Sequence, residues 1–302
     1  MAINRASLAK QLLPGLNAVF GLEYGSVDNE HVKLFEADKS DKSFEEEVLM
    51  TGFGNAPVKS EGAAVSYDTA SESYTARYEH DTVALAYAIT EEAIEDGLYD
   101  SVAKLRSKAL ARAMANTKQI KASNVFNNGF TGGATAGGDG VALFSASHPT
   151  MADGNQSNLL TAADISEAAL ETAIIAIQQM EDDRGILIGA QADFVLVHPN
   201  DVFNIERILA GALRQGTADN DINALKSTGF LKGGWMVNRR LTDGDAWFIK
   251  TTTPNGTKMF TRKPLQTKME PDFDTGNLRF KARERYAFGW SDWRGWFGNA
   301  GA

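Results

Sequence analysis

Residues 44–90 read FEEEVLMTGFGNAPVKSEGAAVSYDTASESYTARYEHDTVALAYAIT, and residues 91–126 continue EEAIEDGLYDSVAKLRSKALARAMANTKQIKASNVF. The first stretch is strand-like over 44–53 and 74–90. Val83, Leu85, Tyr87 and Ile89 alternate with Ala84, Ala86 and Ala88, a period of two with one bulky and one small face. Between these limbs, 54–73 holds Gly, Ala, Ser and Pro with few large apolar side chains, far longer than the roughly 2–5 residues of a hairpin turn. The second stretch predicts a helix over 98–126, about 44 Å long at 1.5 Å per residue. An extended hairpin whose outer surface has no cover in its own chain, next to a helix that outgrows a compact domain, points to contacts supplied by other copies. Phe53, Lys59, Tyr67, Tyr74 and Tyr78 are the candidate inter-subunit contacts on the hairpin.

The helix is two-sided. Leu98, Val102, Leu105, Ala109, Ala113 and Ile120 fall at spacings near 3.6 and are the expected buried face. Lys104, Arg106, Lys108, Arg112, Lys118 and Lys121 form the opposite, basic face. Without these six bases the rest of the chain holds 24 basic against 39 acidic side chains, a net of −15. Acidic neighbours for this face are therefore plentiful. Contact with nucleic-acid phosphates is the other reading, and it requires steeply salt-dependent binding. Thr90 with Glu91 and Glu92 predicts the helix start, Gly97 a kink, and Asn127, Asn128, Gly129, Gly132 and Gly133 the stop.

Flanking regions extend this organisation. Residues 1–43 read as an arm, either a frayed terminus or a segment lying on a neighbouring subunit; Leu8, Leu12, Leu13, Leu16, Val19 and Phe20 make one short amphipathic patch. After the Gly-rich connector 131–140, residues 141–250 read as α/β. A strand over 141–144 leads to a helix opened by Ser166 with Leu170, Ile174, Ile177 and Met180 inward. A buried strand over 194–197, a helix over 199–213, and strands near 235–237 and 246–249 follow. Asp274-Thr275-Gly276-Asn277 signals a hairpin turn. Beyond it Leu278, Phe280, Ala282, Tyr286, Phe288 and Trp290 share one face, with Glu284 the exception, and Arg279, Lys281, Arg283 and Arg285 form a basic hairpin face.

Composition narrows the function. The 302 residues carry a net charge of −9, which argues against the whole chain being a nucleic-acid binder. Zero cysteines exclude disulfides and thiolate catalysis. No apolar run approaches the roughly 18 residues of a membrane span, and no secretory signal is read at the N-terminus, so the expectation is a soluble, intracellular protein without membrane contact. The tract 131–140 lacks the lysine of a phosphate loop. His31, His80, His148 and His198 are too dispersed for a histidine-built metal site. Asp272, Asp274 and Gly276 read as a turn, since Arg283 stands where a calcium loop needs its bidentate Glu. Ser145 near His148 has no third member, and Glu181, Asp182 and Asp183 before Gly185 read as a solvated helix end. No catalytic residue, cofactor or metal is expected.

The order of arm, extended loop, long helix, α/β domain and returning β-hairpin resembles the major capsid protein of tailed bacteriophages, the Hong Kong 97-like fold. The stretches LFSASHPT (143–150) and SEAALETAIIAIQQMEDDRGILIGAQADFVLVHPND (166–201) are most similar to the Mu-like major head subunit branch. The resemblance implies an α+β fold with an N-terminal arm (1–43), an extended loop (44–90), a peripheral domain (91–140 and 251–302) carrying the spine helix and long β-hairpin, and an axial domain (141–250). It implies a structural, non-enzymatic protein that assembles with itself into pentamers, hexamers and an icosahedral shell around double-stranded DNA. The implied partners are a separate scaffold protein, since only about 43 residues precede the loop, a portal, in some relatives a decoration protein, and packaged DNA on the inner surface. The implied location is the virion, after assembly in the host cytoplasm. Some relatives cross-link a loop lysine to Asn; Lys59 is the one lysine at this tip, and a solubilising charge is its simpler role. An encapsulin-like nanocompartment shares the fold, a soluble α/β enzyme or ligand-binding protein leaves 44–90 unexplained, and a tail-tube protein is expected to be mostly β.

Overall fold

The computed structural model of the chain describes residues 5–90, 92–93, 99–132, 137–150, 154–213 and 222–302, and it divides into two compact units. The expected kink at Gly97 and the glycine at 133 lie outside the described residues. Unit one comprises Met1–Phe44, Glu79–Ala122 and Met259–Ala287; unit two comprises Glu45–Tyr78, Ser123–Lys258 and Phe288–Ala302.

Unit one is built on a sheet of order β1-β10-β11-β4, with β1 Glu36–Lys39, β4 Asp81–Ile89, β10 Thr257–Pro271 and β11 Leu278–Trp290. Strands β4 and β11 run antiparallel with Phe280 opposite Tyr87 and Lys281 opposite Ala86. Residues two apart share a face, so Leu278, Phe280 and Ala282 point one way and Arg279, Lys281, Arg283 and Arg285 the other. The apolar face is covered by the long helix α3 (Tyr99–Asn127, 29 residues) and by α1 (Arg5–Ser26, 22 residues). Leu16 and Phe20 of α1 join Ile89, Ala103, Leu110, Ala111, Met114, Leu278, Phe280 and Ala282 in one core. Within the stretch 1–43, expected as an arm, residues 5–26 form a helix that packs into this core through Leu16 and Phe20. Pro14, Gly15, Gly21 and Gly25 lower its intrinsic propensity, and burial of Leu16 and Phe20 overrides that.

Helix α3 keeps its expected length but buries a different face. Ala103, Ser107, Leu110, Ala111, Met114 and Ala115 are inside, whereas Val102, Leu105 and Ile120 are 38%, 70% and 41% exposed. Small side chains let helix and sheet approach closely enough for the Tyr87 hydroxyl to reach Ser107 Oγ at 2.7 Å. The larger apolar residues are left on the outside. The expected strand 74–90 also divides: β3 (Glu72–Glu79) pairs with β2 (Phe44–Met50) as a separate ribbon, and β4 begins at Asp81.

Unit two centres on a mixed sheet of order β12-β9-β7-β8, with β7 Ala192–Val197, β8 Gly234–Val237, β9 Trp247–Thr251 and β12 Trp296–Asn299. Only the β7–β8 pair is parallel. Ser166 caps α4 (Glu167–Gln178) by accepting from Ala169 N at 3.3 Å, and Leu170, Ala173, Ile174 and Ile177 are buried beneath it. A single turn at Pro199–Asp201 leads into α5 (Val202–Ala210), shorter than the expected 199–213, and α6 (Ala224–Thr228) is an element the sequence reading missed. Trp296 is fully buried, 4.7 Å from Phe126 and 5.7 Å from Phe194. Residues 141–144 are not a strand; Phe144 instead stacks on Phe248 at 5.0 Å, in space left by Gly129 and Gly298, where a Cβ would lie within 2.7 Å of its ring. Asn158 ties this corner together, donating to the carbonyls of Leu143, Trp293 and Trp296.

The backbones of Gly256 and Gly295 touch: a Cβ on Gly295 would lie 2.5 Å from Gly256 Cα. Gly295→Ala is therefore expected to lower stability by about 1–3 kcal/mol through enforced overpacking. Urea denaturation reads this as a lower midpoint, and an unchanged midpoint would show that the two segments separate freely.

Candidate functional site

Residues 51–71 connect β2 and β3 without regular structure. Their base is closed by Thr51, whose N donates to Ser71 O at 2.9 Å and whose hydroxyl accepts from Ser71 N at 2.9 Å. Beyond that base Phe53, Val65, Tyr67 and Val58 are 66%, 65%, 96% and 98% exposed. Lys59 is exposed among them. Tyr74 is half-buried, and Tyr78 is buried within its own unit, its hydroxyl hydrogen-bonded with Ser291 Oγ. Of the five hairpin residues singled out from sequence, Phe53, Lys59 and Tyr67 thus share the exposed loop.

One ionic contact ties the loop to a turn of the same unit. Asp68 receives Arg184 Nη1 at 2.5 Å and Nη2 at 3.3 Å, and accepts Gly54 N–H at 2.6 Å. Arg184 beside it, with the Gly54 and Thr69 amides, holds the Asp68 carboxyl down to about 2. The turn itself is held by hydrogen bonds. Asp182 Oδ1 accepts from Arg184 N and Ile186 N at 2.7 and 2.9 Å, and Gln156 donates to Asp182 O. Behind it Asp183 is buried against Arg294 at 2.6 Å. The acidic run 181–183 was read from sequence as a solvated helix end; Glu181 and Asp182 are half-buried, and Asp183 is a buried anchor because Arg294 arrives from 111 residues away.

The basic residues differ in their surroundings. Lys118 is half-buried and reaches Glu284 Oε2 at 2.8 Å and the Tyr24 hydroxyl at 3.2 Å. Burial works against the Lys118 charge, but the Glu284 carboxylate offsets it, so the ammonium is held above its usual range. Lys121 pairs with Asp81 and Arg112 with Glu23, each at 2.5 Å. Lys104, Arg106 and Lys108 lie exposed near the other end of the helix. On β11, Arg279 pairs with Asp272 at 2.5 Å, whereas among the described residues Arg283 and Arg285 have no carboxylate within ion-pair distance. Among the exposed apolar side chains that escaped sequence reading are Phe273 at the β10–β11 turn (100% exposed), Phe203 (74%) and Leu187 (63%). Only Phe273 carried a signal, an aromatic among turn formers.

Ser145 and His148 do not form a nucleophile–base pair. His148 is fully buried, stacked on Trp293 at 4.5 Å, with Nδ1 at 2.6 Å from Asp139 and Nε2 at 3.1 Å from Asn158. Both ring nitrogens serve the fold. Among the described residues no cluster of His, Asp or Glu could hold a metal ion, and no helix is long and apolar enough to cross a membrane.

A search of curated proteins finds no match. Among solved structures, a virus-like particle from Pyrococcus furiosus is similar with a TM-score of 0.54 at 11% identity, covering 95% of this chain and 98% of that one. A structure of Microbacterium phage Oxtober96 gives 0.54 at 12%, covering 91% and 92%. The capsid of an empty GTA particle gives 0.52 at 12%, covering 92% of both chains. At these identities the likeness establishes the fold, the Hong Kong 97-like α+β architecture. The family model described as phage capsid protein matches residues 73–299, three quarters of the sequence, and the chain therefore belongs to the phage capsid protein family, a family of structural shell proteins.

Proposed function

We propose that this chain is the repeating subunit of a tailed-phage head: a major capsid protein that forms pentamers and hexamers and closes an icosahedral shell around double-stranded DNA. The observation that carries the reading is the 51–71 loop, whose Val58 and Tyr67 are almost wholly exposed in the single chain and find cover on a neighbouring copy. Identical heterologous contacts that close on themselves give a shell. In this reading 1–43 is the arm, 44–90 the extended loop, 91–140 with 251–302 the peripheral domain, and 141–250 the axial domain. The order of elements and the wording of 166–201 favour the Mu-like branch. A separate scaffold, a portal and in some phages a decoration protein complete the particle, which assembles in the host cytoplasm. The exposed cations Lys104, Arg106 and Lys108 are the residues to test first for contact with packaged DNA.

Sedimentation velocity tests this directly, with and without the candidate scaffold. Pentamers, hexamers of about 196 kDa (six chains of 32.7 kDa) or megadalton shells are expected. A persistent monomer or dimer under every condition overturns the reading. Shells that contain a cargo protein in place of nucleic acid would identify a nanocompartment.

A further inference from the structure

The acidic turn at 181–186 has more structure than its place in the fold requires. Arg294 fixes it from inside: Nη2 to Asp183 Oδ1 at 2.6 Å, Nη2 to Gln156 Oε1 at 3.0 Å and Nε to Glu181 O at 3.1 Å. Asp182 spends one carboxylate oxygen on two amides of the turn. What this hydrogen-bonded base presents outward is the guanidinium of Arg184. It meets Asp68 in a two-pronged contact and also reaches Thr69 O at 3.4 Å. Asp68 in turn holds Gly54, fourteen residues back on the other limb of the loop. One ion pair therefore gathers both limbs onto one turn. Little else does. The groove bounded by 53–57, 66–68, Arg184 and Ile186 is open, with a volume of about 740 Å³. Gly54 fits this geometry, since a Cβ there would press on Asp68 Oδ2 at 3.3 Å and Arg184 Nη1 at 3.4 Å.

We propose that Asp68 and Arg184 form a latch that positions the 51–71 loop on its own subunit and so directs its apolar tip before another copy covers it. The effect on assembly rests on the shell reading above; the latch itself is a property of the single chain. A two-pronged Arg–carboxylate contact fixes direction as well as distance. Being exposed, it is weak enough to open when a neighbour offers better contacts, and it weakens with salt. The depressed Asp68 carboxyl sets its pH range. A carboxylate stabilised in the folded chain contributes fully above its ordinary value, and the contribution is lost only as pH falls toward about 2. Between pH 5 and 8 the latch is closed.

Trypsin cleavage after Lys59, the one basic residue of the loop, reports opening in the unassembled chain. Asp68→Asn and Arg184→Gln are each expected to raise the nicking rate about two- to fivefold at low salt, the range an exposed ion pair supplies. This holds when opening is fast relative to cleavage. The double variant is expected to nick no faster than either single variant, because the same interaction is removed once. Both side chains lie at the surface, so the variants fold, and circular dichroism verifies it. Unchanged nicking, or a double variant whose rate is the product of the two single effects, overturns the latch. If latched and unlatched chains close shells of equal size and yield, its role in assembly is overturned. If neither closes a shell, the shell reading fails, and the nicking result still decides the latch.

Discussion

Arg294→Met is expected to lower the unfolding free energy of the unassembled chain by about 3–5 kcal/mol, the cost of stranding a buried charge. Arg294 is 3% exposed and its guanidinium serves two carboxylates, Asp183 at 2.6 Å and Asp292 at 3.7 Å, while stacking on Trp293 at 4.5 Å. Methionine keeps much of the volume and removes every donor. The variant therefore leaves two carboxyls inside with no cation. Burial already pushes the Asp292 carboxyl above its ordinary value, and Arg294 is the main influence holding it down. Removing Arg294 raises it further. A raised carboxyl favours the folded state at low pH, and that contribution is lost as pH rises through the folded value. The deficit of Arg294→Met is thus expected to be largest near pH 7 and to shrink toward pH 5. Urea denaturation at the two pH values reads both. A deficit below about 1 kcal/mol, or one independent of pH, would show that water reaches the site when the guanidinium is gone. Because the same residue anchors the turn beneath Arg184, the variant is also expected to nick faster after Lys59 under native conditions.

The order of elements was legible because it is written in strong local signals. The hydroxyl of Ser166 ahead of Leu170, Ile174 and Ile177 carries its own cap and period, and the turn before Leu278 contains the glycine its backbone needs, with Gly276 at φ +70°. The exposed loop was legible because 54–73 has too few apolar residues to bury. What could not be read was which face of α3 goes inside. Periodicity ranks Leu105 above Ser107, yet Ser107 is fully buried and Leu105 is exposed. The decision is made by how closely the sheet approaches, a property of residues such as Tyr87 and Phe280 far away in sequence. The latch was invisible for the same reason, since Asp68 and Arg184 are 116 residues apart and each is an ordinary surface charge in isolation. The pairing of Arg112, Lys121 and Lys118 likewise depended on Glu23, Asp81 and Glu284. Glu284 did carry a signal, as the one charge on the apolar face of β11.

That exception gives the second large effect. Lys118→Met is expected to destabilise the chain by about 3–5 kcal/mol, because Glu284 is 1% exposed and loses its cation. The Glu284 carboxylate is already under-served: Oε1 has no hydrogen-bond partner among the described residues, and Oε2 retains only the Tyr24 hydroxyl at 3.4 Å once Lys118 is gone. Lys118 also lies over the Tyr286 ring, 5.1 Å from its centre, so part of its contribution is cation–π attraction. If the loss comes from the stranded carboxylate, removing both charges must restore most of it. Lys118→Met/Glu284→Leu is therefore expected to fall within about 1.5 kcal/mol of the parent, since well-packed apolar replacements of a buried pair are near neutral. The raised Lys118 adds a pH test. Its pairing is complete below the ordinary lysine range and is lost as pH rises through the higher folded value. The parent is expected to lose this stabilisation only in strong alkali, and the double variant to show no such step. A double variant as unstable as Lys118→Met would show that the lysine stem, packed between Tyr24 and Tyr286, holds the helix to the sheet and that the charge pair serves only to keep it there.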